Sequence, residues 1–576
     1  MIFDSLNIAA SSLRTQQKAI DVVSHNIANV NTPGYSRQAG NMVTSTPGQA
    51  GVLNFGRGVE MQSVQRMINP VISQAQINNG TQLSYWTSMN SGLSSVENVF
   101  GSLQSTGLAS ALDDFFISWK QLANNPQDNG QRVNVRAKSS SLVTSLNNMH
   151  AQLQTVQANT DSNIDQAITS ANLLLNDIAK LSTEIARQEA GRPGGAGAAN
   201  DLRDQREQAV RNLAKLIPVQ NVATGDASFM LQTQNGDLLT QDGVANQLAR
   251  GAAVGGGFSS VVMAGSGSPA LSASQGGQIG GLLDLRDNKI GNYIQQVDSI
   301  AANLIFSVNQ VHASSSGSVN HVTLTGEQSS RVALPLDDVT QIAPFAANIQ
   351  SGSFNIHVYD AAGAAVVPGG TAVAITAGVT SMNDVATALN AVAGITSTVD
   401  ATGRLTINAV AGQSFALAGD TSNFLAAYEI NNFFQGGGAG SLGLSAAIQT
   451  SVNGINTGQT DPLTSVNQAG DSRSALAILA LQDAPLSVDG TSSLSLHNRT
   501  TSLSVQYGTD VSTSKQQNDY RTVEATSIET QRQAISGVNV DEELISMIKF
   551  QRAYEASAKI ITTTNQMLDS LLGLIR

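Results

Sequence analysis

The chain has 576 residues, a hydrophobic share of 41% and a charged share of only 12%. That length predicts several domains, about three to five, and the charged share is roughly half the usual value for a folded protein. The net charge is −12 and the Lys and Arg residues are scattered, so no phosphate-binding face and no nucleic-acid partner are expected. The chain has no cysteine, which excludes disulfides, thiolate nucleophiles and Cys-based metal sites.

The first residues do not resemble a cleaved leader peptide. No basic segment opens the chain, and Asp4, Ser5 and Asn7 interrupt the apolar residues around them. No apolar run in the sequence approaches the roughly 20 residues that a membrane-spanning helix needs. We therefore expect no cleaved signal peptide and no membrane insertion.

Both ends of the chain carry large apolar residues at a seven-residue spacing. Near the start these residues are Leu6, Leu13, Ile20 and Ile27, and near the end they are Met547, Tyr554, Ile561, Leu568 and Ile575. With the apolar residues between them, they predict helices that bury a narrow stripe against another helix, as in a coiled coil. The two ends are therefore expected to meet each other or to join other copies.

The helical pattern is longest in the first half of the chain. An apolar stripe at helical spacing runs over 142–185, which predicts a long bundle helix. The glycine-rich segment 191–199 ends it, and 200–218 predicts a return helix capped by Asn200 or Asp201.

Further helices are predicted at 281–312 and from about 461 to the end of the chain. The latter region has a break at Ser536-Gly537, and Asn539 or Asp541 is expected to cap the last helix. The acidic residues 541–543 would then lie in its first turn, where negative charge offsets the helix dipole.

In two regions the apolar residues recur at every second position, as in a β-strand. Strands separated by glycine-rich turns are predicted over 219–275 and again over 318–450, where a short capped helix at about 381–392 interrupts them. The glycine-rich segment 435–443 is interpreted as a linker.

The order of these elements predicts an α+β multidomain protein. Its discontinuous α-helical body would combine terminal coiled-coil helices with a long helical bundle, and β-rich domains would be inserted into that body. The predicted parts are a terminal helical domain, 1–35 with 540–576; a bundle, 36–218 with 278–315 and 455–539; and β-rich outer domains, 219–277 and 316–454.

Residues that carry chemistry are sparse. The six histidines are dispersed without metal-ligand spacing, and the paired acids suit helix termini better than acid–base catalysis. The glycines of 191–199 lack the Lys-Ser/Thr ending of a phosphate loop and follow a helix instead of a strand. No catalytic, cofactor or metal site is predicted.

One polar motif follows the first helix. Pro33 and Gly34 in Asn31-Thr32-Pro33-Gly34-Tyr35 suffice to stop a helix and form a turn. Asn26, Asn29 and Asn31 add amide side chains that could satisfy carbonyls at the helix end or reach a neighbouring chain. Both readings, a stop signal and a contact site, stay open on physical grounds.

The segment SHNIANVNTPGYSRQ (24–38) resembles the signature of the bacterial flagellar axial proteins, which include rod, hook and hook-associated proteins. The ending SGVNVDEELISMIKFQRAYEASAKIITTTNQMLDSLLGLI is similar to the C-terminal helix of the same group. The long 142–185 helix with its return, and the segments 470–482 and 507–543, resemble the hook-associated members. The resemblance covers roughly the first 215 and last 110 residues, and the inserted β-rich region matches only loosely.

The resemblance implies a non-enzymatic structural protein that joins the hook to the filament. It implies a ring of identical copies whose terminal helices form an inner tube, with the hook protein and the filament-side junction protein as neighbours. It also implies export through the flagellar type III apparatus and a cytoplasmic chaperone on the C-terminal helix. The shared axial motif would consist of Asn26, Asn29 and residues 31–35. The C-terminal packing seam would consist of the series from Met547 to Ile575.

Three alternatives remain at this level. The chain could be another axial component of hook or rod type. A secreted adhesin would make the β-rich regions the functional part, but it would leave both terminal seams unexplained. An enzyme carried by the inserted region would need clustered His and acidic residues, and the insert has only His321 and His357 among its histidines.

Overall fold

The computed structural model describes residues 2–45, 48–50, 53–101, 107–190, 199–223, 229–253, 257–265, 271, 275–488 and 493–573. The chain divides into two compact units. Unit 1 consists of Met1–Gly92, Thr160–Leu285 and Ser512–Arg576, and unit 2 of Leu93–Asn159 and Arg286–Val511. The predicted α+β multidomain class is confirmed, whereas the predicted three-part division of the chain stays a prediction.

Long helices dominate the described residues, and none of these helices is long and apolar enough to cross a membrane. A π-helical turn, Leu285–Ile290, joins the sixth helix to the seventh. The α-helices are α1 (Ile2–Ala28), α2 (Pro70–Gly101), α3 (Leu108–Asn124), α4 (Asn129–Glu189), α5 (Asn200–Leu216), α6 (Gly277–Asp284), α7 (Gly291–Ala313), α8 (Met382–Asn390), α9 (Phe424–Ala427), α10 (Ala446–Thr450), α11 (Arg473–Ala480), α12 (Leu496–Ser536) and α13 (Val540–Gly573).

The sheets are small, and every strand pair in them is antiparallel. They have the orders β1-β4, β2-β3, β5-β6-β7-β8, β10-β9, β13-β12-β16, β11-β15-β14 and β17-β18. The strands are β1 (Gln38–Thr44), β2 (Gly48–Ala50), β3 (Leu53–Phe55), β4 (Val59–Arg66), β5 (Val219–Ala223), β6 (Phe229–Thr233), β7 (Leu238–Gln241), β8 (Val244–Ala245), β9 (Leu248–Ala253), β10 (Ser259–Met263), β11 (Thr323–Thr325), β12 (Gly352–Tyr359), β13 (Thr371–Ile375), β14 (Ile395–Val399), β15 (Leu405–Ala409), β16 (Ser414–Ala418), β17 (Phe434–Gln435) and β18 (Gly443–Leu444).

The core of unit 1 forms where α4 and α5 pack with the sheet that follows them. Leu175 and Ile178 of α4, Leu213 of α5 and Leu231 of β6 are fully buried in one cluster. The residues of α4 belong to the long apolar stripe of the sequence, so the predicted helix and its return helix are confirmed. The stripe forms a helix because its apolar residues fall on one face and find a partner there.

The core of unit 2 is aromatic. Phe115 and Trp119 of α3 meet Phe433 and Phe434, with ring centroids 5.3 Å apart for Trp119–Phe433 and 5.7 Å apart for Phe115–Phe434. Such tilted aromatic pairs stabilise a core beyond the area they bury. The segment around Phe433 therefore anchors unit 2.

Two predictions about unit 2 are wrong. The segment 435–443 is not a linker, because it closes the hairpin of β17 and β18 and buries Ala439 and Leu442. The chain is also not helical from 461 onwards: α11 is eight residues long and α12 begins only at Leu496. Pro462 and Pro485 lack a backbone donor, which disfavours continuous helix through both places.

The structure confirms the predicted end of α12 and the predicted cap of α13, but not the predicted cap of α5. The break at Ser536-Gly537 is confirmed, and Asn539 accepts a hydrogen bond from the backbone N–H of Asp541 at 3.1 Å, as a cap does. The predicted cap of α5 is wrong, since the helix begins at Asn200 and no side chain caps it. The Asn200 amide instead donates to the Val64 carbonyl of β4 at 2.9 Å.

Candidate interaction site where the chain ends meet

The first and last helices lie side by side in unit 1. The Ser12 and Ser557 hydroxyl oxygens are 2.8 Å apart, and the Asn26 amide donates to Glu543 at 3.1 Å. The middle of α1 thus meets the middle of α13, and the end of α1 meets the start of α13. The two helices, here called the terminal helix pair, are therefore antiparallel.

The middle of the terminal helix pair is built from small and polar side chains. Small side chains allow close approach of two helix backbones, which is how two hydroxyls can touch across the pair. The buried residues on the two helices are Ala9, Thr15, Ala19, Val23 and Asn26 on α1 and Glu543, Ser557 and Thr564 on α13.

The large apolar residues predicted to form the seam lie beside this centre. Leu6, Leu13, Ile20 and Ile27 are half-buried on α1, and so are Met547, Ile561 and Leu568 on α13. Tyr554 keeps 39% of its surface exposed, and Ile575 lies outside the described residues. The pair therefore covers only part of each large apolar side chain.

A further set of apolar side chains on α13 is exposed. Ile545, Ile548 and Ile560 keep 68%, 57% and 50% of their surface exposed. Leu544, Met567 and Leu571 are exposed as well. An apolar surface of this kind on a helix is a common mark of an interaction site.

The end of α1 is fixed by one buried amide. Asn26 is 1% exposed, and its Oδ1 accepts hydrogen bonds from the Tyr35 hydroxyl at 2.8 Å and from the backbone N–H of Gln38 at 2.9 Å. Its Nδ2 donates to the carbonyl of Gln38 at 2.9 Å and to the Glu543 carboxylate at 3.1 Å. The first residue of the axial motif thus has all four hydrogen bonds of its amide satisfied.

Glu543 is the partner of Asn26 on α13. Its side chain is 1% exposed, and its other oxygen accepts from Nε of Arg37 at 2.7 Å. The backbone N–H of Arg37 donates to the Ser536 carbonyl at the end of α12. A buried carboxylate needs such partners: the Arg37 guanidinium compensates its charge, and the Asn26 amide satisfies its second oxygen.

The residue that follows the axial motif contacts α5. The backbone N–H of Ser36 donates to Asp204 at 2.9 Å, and the Arg66 guanidinium donates to the other oxygen of Asp204 at 2.8 Å. Burial raises the pKa of Asp204 despite the nearby Arg66. Burial also raises the pKa of the Tyr35 hydroxyl, with the carboxylates of Asp201, Asp204 and Glu543 acting in the same direction.

These buried contacts form what we call the joint, defined as Asn26, Tyr35, Ser36, Arg37, Gln38, Arg66, Asp204 and Glu543. It connects α1, the strand pair β1-β4, α5 and the start of α13 by hydrogen bonds and ion pairs. Its members all belong to unit 1. The arrangement can hold a fixed angle between helices.

The middle of the axial motif is a turn on the surface. The backbone N–H of Thr32 donates to the Asn29 carbonyl at 2.9 Å, and the Thr32 hydroxyl donates to Oδ1 of Asn29 at 3.1 Å. Nδ2 of Asn29 donates to the His25 carbonyl near the end of α1. Asn29 therefore satisfies a carbonyl at the helix end, which is one of the two roles expected for the amides of the motif. Asn31 and Pro33 are exposed.

Gly34 brings this turn against α5. Its φ is 81°, in the left-handed region that favours glycine. A Cβ placed on it would lie 2.7 Å from Oε1 of Gln208 and 3.1 Å from Nη2 of Arg211. Both the backbone conformation and the close approach therefore require a residue without a side chain.

The sequence prediction named Asn26 and Tyr35 but not their charged partners. Arg37 follows the motif directly and Glu543 lies in the predicted acidic first turn, so both stood in segments that the sequence had singled out. Asp204 and Arg66 carried no such signal. Their pairing depends on tertiary contacts between residues 138 positions apart.

The acidic side chains of the joint are paired within the chain. Among the described residues there is no group of three or more His, Cys, Asp or Glu placed to hold a metal ion. The carboxylates of Asp204 and Glu543 accept hydrogen bonds from Arg side chains and from amide N–H groups. The arrangement supports packing and register.

Three family models match parts of the chain. The model described as "Flagellar hook-associated protein FlgK helical domain" matches residues 93–325. "Flagella basal body rod protein" matches residues 6–35, and "Flagellar basal body rod FlgEFG protein C-terminal" matches 529–574. The last two contain most of α1 with the axial motif and all of α13.

Curated relatives agree with the first model. The chain is 31% identical to flagellar hook-associated protein 1 of Salmonella typhimurium over 247 residues, which are 42% of this chain and 44% of that protein. It is 26% identical to flagellar hook-associated protein 1 of Escherichia coli K12 over 584 aligned residues, 99% of each chain. The alignment with the Salmonella protein thus spans less than half of its length.

A solved structure has the same fold. The flagellar hook junction protein FlgK from Burkholderia pseudomallei matches with a TM-score of 0.53 at 16% identity, covering 81% of this chain and all of that one. At this identity the match shows a shared fold. The chain is therefore similar to flagellar hook-associated protein 1 in its helical region and to flagellar rod proteins at both ends.

Proposed function

We propose that copies of this chain polymerise through their terminal helix pairs into a ring that joins the hook to the filament. The observation that supports this most is the incomplete cover of the apolar residues on α1 and α13. Leu13 and Ile561 are half-buried, and Ile548 is 57% exposed. Neighbouring copies in a tube would cover these surfaces, and the terminal helices would line its inside.

The polar character of the contact within the terminal helix pair supports the same proposal. Two isolated helices with a polar centre gain little from packing, and most helical stability in proteins comes from tertiary contacts of an apolar face. Gln16 adds to this, since its buried Oε1 has no hydrogen-bond partner among the described residues. We infer that the pair becomes fully stable only when other copies supply the remaining contacts.

The exposed part of the axial motif is a second proposed contact between copies. Asn31 and Pro33 are exposed on a turn that Asn29, Thr32 and Gly34 hold in place. A rigid turn loses little conformational entropy when it binds. This contact would set the register of neighbouring subunits.

The proposed partners are other copies of the chain, the hook protein, the filament-side junction protein and an export chaperone on the C-terminal helix. The proposed place of action is outside the cell, after export through the flagellar type III apparatus without a cleaved signal peptide. The family models that match the chain describe flagellar proteins. An uncovered apolar helix such as α13 would need protection before export, which is the task assigned to the chaperone.

The proposal is tested by replacing exposed apolar residues with a charge. Ile548→Asp and Ile560→Asp should leave the unfolding of the purified monomer within about 0.5 kcal/mol of the parent, as expected for exposed positions. Both should abolish filament growth when they replace the parent chain in cells. Val339→Asp is the matched control, because Val339 is 92% exposed and lies in unit 2. Normal filaments with both variants would overturn the proposal.

Limited proteolysis tests the dependence on assembly. In dilute solution, the parts of α1 and α13 that lie outside the joint, within about 30 residues at the front and 40 at the back of the chain, should be cut before the rest, and they should be protected once copies assemble. Protection of both segments in the dilute monomer would contradict assembly-coupled folding.

The rod-protein models at both ends favour one second candidate, another axial component of hook or rod type. Electron microscopy of a deletion strain separates the two. The junction role predicts complete hooks without filaments, whereas a rod or hook component predicts cells without complete hooks.

A further inference from the structure

Glu429 in unit 2 combines two unfavourable features. Its side chain is fully buried, at 0% exposure, and its backbone φ is 50°, a left-handed conformation that costs any residue with a Cβ. A buried carboxyl group and a strained backbone at the same residue are uncommon except where they serve a function.

The carboxyl group of Glu429 is only partly satisfied. Its Oε1 accepts a hydrogen bond from the backbone N–H of Gly436 at 2.7 Å. Its Oε2 is buried without a hydrogen-bond partner among the described residues. A buried charge with an unpaired oxygen is expensive, so such a group tends to neutralise itself by taking up a proton.

The charged groups facing Glu429 come from two neighbouring segments. The like charge of Glu327 opposes ionisation, while the Gln328 amide and the more distant Arg404 favour it. Glu327 is engaged elsewhere, since its carboxylate accepts from the backbone N–H of Ala446 at 2.9 Å. The Arg404 guanidinium donates to the backbone carbonyl of Glu327.

The segment that Glu429 begins is central to unit 2. It continues through Asn431, whose carbonyl bonds the buried His312, to Phe433 and Phe434 in the aromatic core. The Asn309 side chain accepts hydrogen bonds from the backbone N–H groups of both Phe residues at 2.9 Å. A change at Glu429 therefore acts on the backbone that seats the aromatic core.

We propose that Glu429 is a proton-operated latch: its carboxyl group is protonated in the folded unit, and loss of that proton loosens segment 428–436. Burial, opposed by Gln328 and the Gly436 N–H and reinforced by Glu327, raises the pKa of Glu429 to about 7. The unfolded chain releases this proton near the ordinary pKa of 4.5. The latch therefore stabilises unit 2 fully below about pH 4.5, and its contribution disappears as the pH rises through 7.

The test compares the parent chain with Glu429→Gln, which keeps the shape and removes the charge. The chain has two tryptophans, Trp86 in unit 1 and Trp119 in the core of unit 2. In a Trp86→Phe background, fluorescence of Trp119 reports the unfolding of unit 2 by urea in the full-length protein. Unfolding curves are recorded from pH 5 to 8.5 for both chains.

The parent chain should lose stability relative to Glu429→Gln as the pH rises. From the two pKa values, the ratio of their unfolding constants should change by about 70-fold between pH 5 and 8.5. His312 and His321, whose pKa values burial lowers, titrate in both chains, so the comparison cancels them. Glu327→Gln is the second control, and it should keep the transition but move it to lower pH.

Parallel pH profiles for the parent and Glu429→Gln would overturn the proposal. Recovery of parent stability at pH 8 on adding Ca²⁺ or Mg²⁺ would also overturn it, because a metal ion and not a proton would then neutralise the carboxylate. If Glu429→Gln fails to fold, Glu429→Gly replaces it, since glycine removes the charge and accepts the positive φ. If the stability of the Glu429→Gly variant does not fall as the pH rises, the latch is supported. If its stability falls as steeply as that of the parent chain, the latch is refuted.

Discussion

The joint and the terminal helix pair are neighbours in unit 1 and are built in opposite ways. In the joint, Asn26 is buried and all the hydrogen bonds of its amide are satisfied within one chain. Along the terminal helix pair, Leu13 and Ile561 are half-buried and Ile548 is exposed. The joint is complete in the single chain, whereas the pair is not.

The difference separates two tasks. Buried polar networks demand one geometry, since any other leaves a polar group without a partner. Half-buried apolar side chains do not require one geometry, and any surface that covers them is stabilising. The joint therefore fixes how the terminal helices leave unit 1, and the helices keep surface free for other subunits.

The largest expected effect comes from breaking the joint at its centre. Asn26→Leu removes the hydrogen bonds of Asn26 to the Tyr35 hydroxyl, to the Gln38 backbone and to one oxygen of buried Glu543. It should destabilise unit 1 by about 3–5 kcal/mol, the usual range for breaking a buried charged network. Urea unfolding followed by Trp86 fluorescence in a Trp119→Phe chain measures it.

Asn31→Leu is the control for Asn26→Leu, because Asn31 is exposed. It should change stability by no more than about 0.5 kcal/mol. Equal effects of the two substitutions would mean that the joint does not hold unit 1 together.

An intermediate effect is expected from overfilling the terminal helix pair. Ser557→Leu places a large side chain where the Ser12 and Ser557 hydroxyls are 2.8 Å apart. It should cost about 1–3 kcal/mol, as overpacking does, and far-UV circular dichroism should show loss of helix. Thr562→Leu on the exposed face of α13 is the control, and it should leave the signal unchanged. A neutral Ser557→Leu would show that the helices are not in close contact in solution.

The smallest effect, a difference of about 1 kcal/mol between two glycine variants, concerns the turn. Gly34→Ala should cost about 2 kcal/mol, from the positive φ and from contact with Gln208 and Arg211. Gly236→Ala is the matched control, because Gly236 has φ 89° and open space around its Cβ position. It should cost about 1 kcal/mol from the backbone alone. If the two variants unfold at the same urea concentration, the turn does not press against α5.

Several features were predictable because they depend on neighbours in the sequence. The stripe over 142–185 and the stop at Ser536-Gly537 follow from local periodicity and from glycine, and both agree with the structure. The prediction failed at 435–443 because a glycine-rich segment is compatible with a linker and with a tight hairpin. Burial of Ala439 and Leu442, which decided between them, is a tertiary property.

The sequence by itself determined that the chain has helical ends with apolar seams and a polar stop after the first helix. Only the tertiary structure decided which residues form the close contact: small and polar side chains at the centre, with the large apolar series at the edges. It also decided that Arg37 meets Glu543, 506 residues away. Spacing along a helix fixes which residues share a face, but the partner of that face depends on how distant segments pack, which no local pattern encodes.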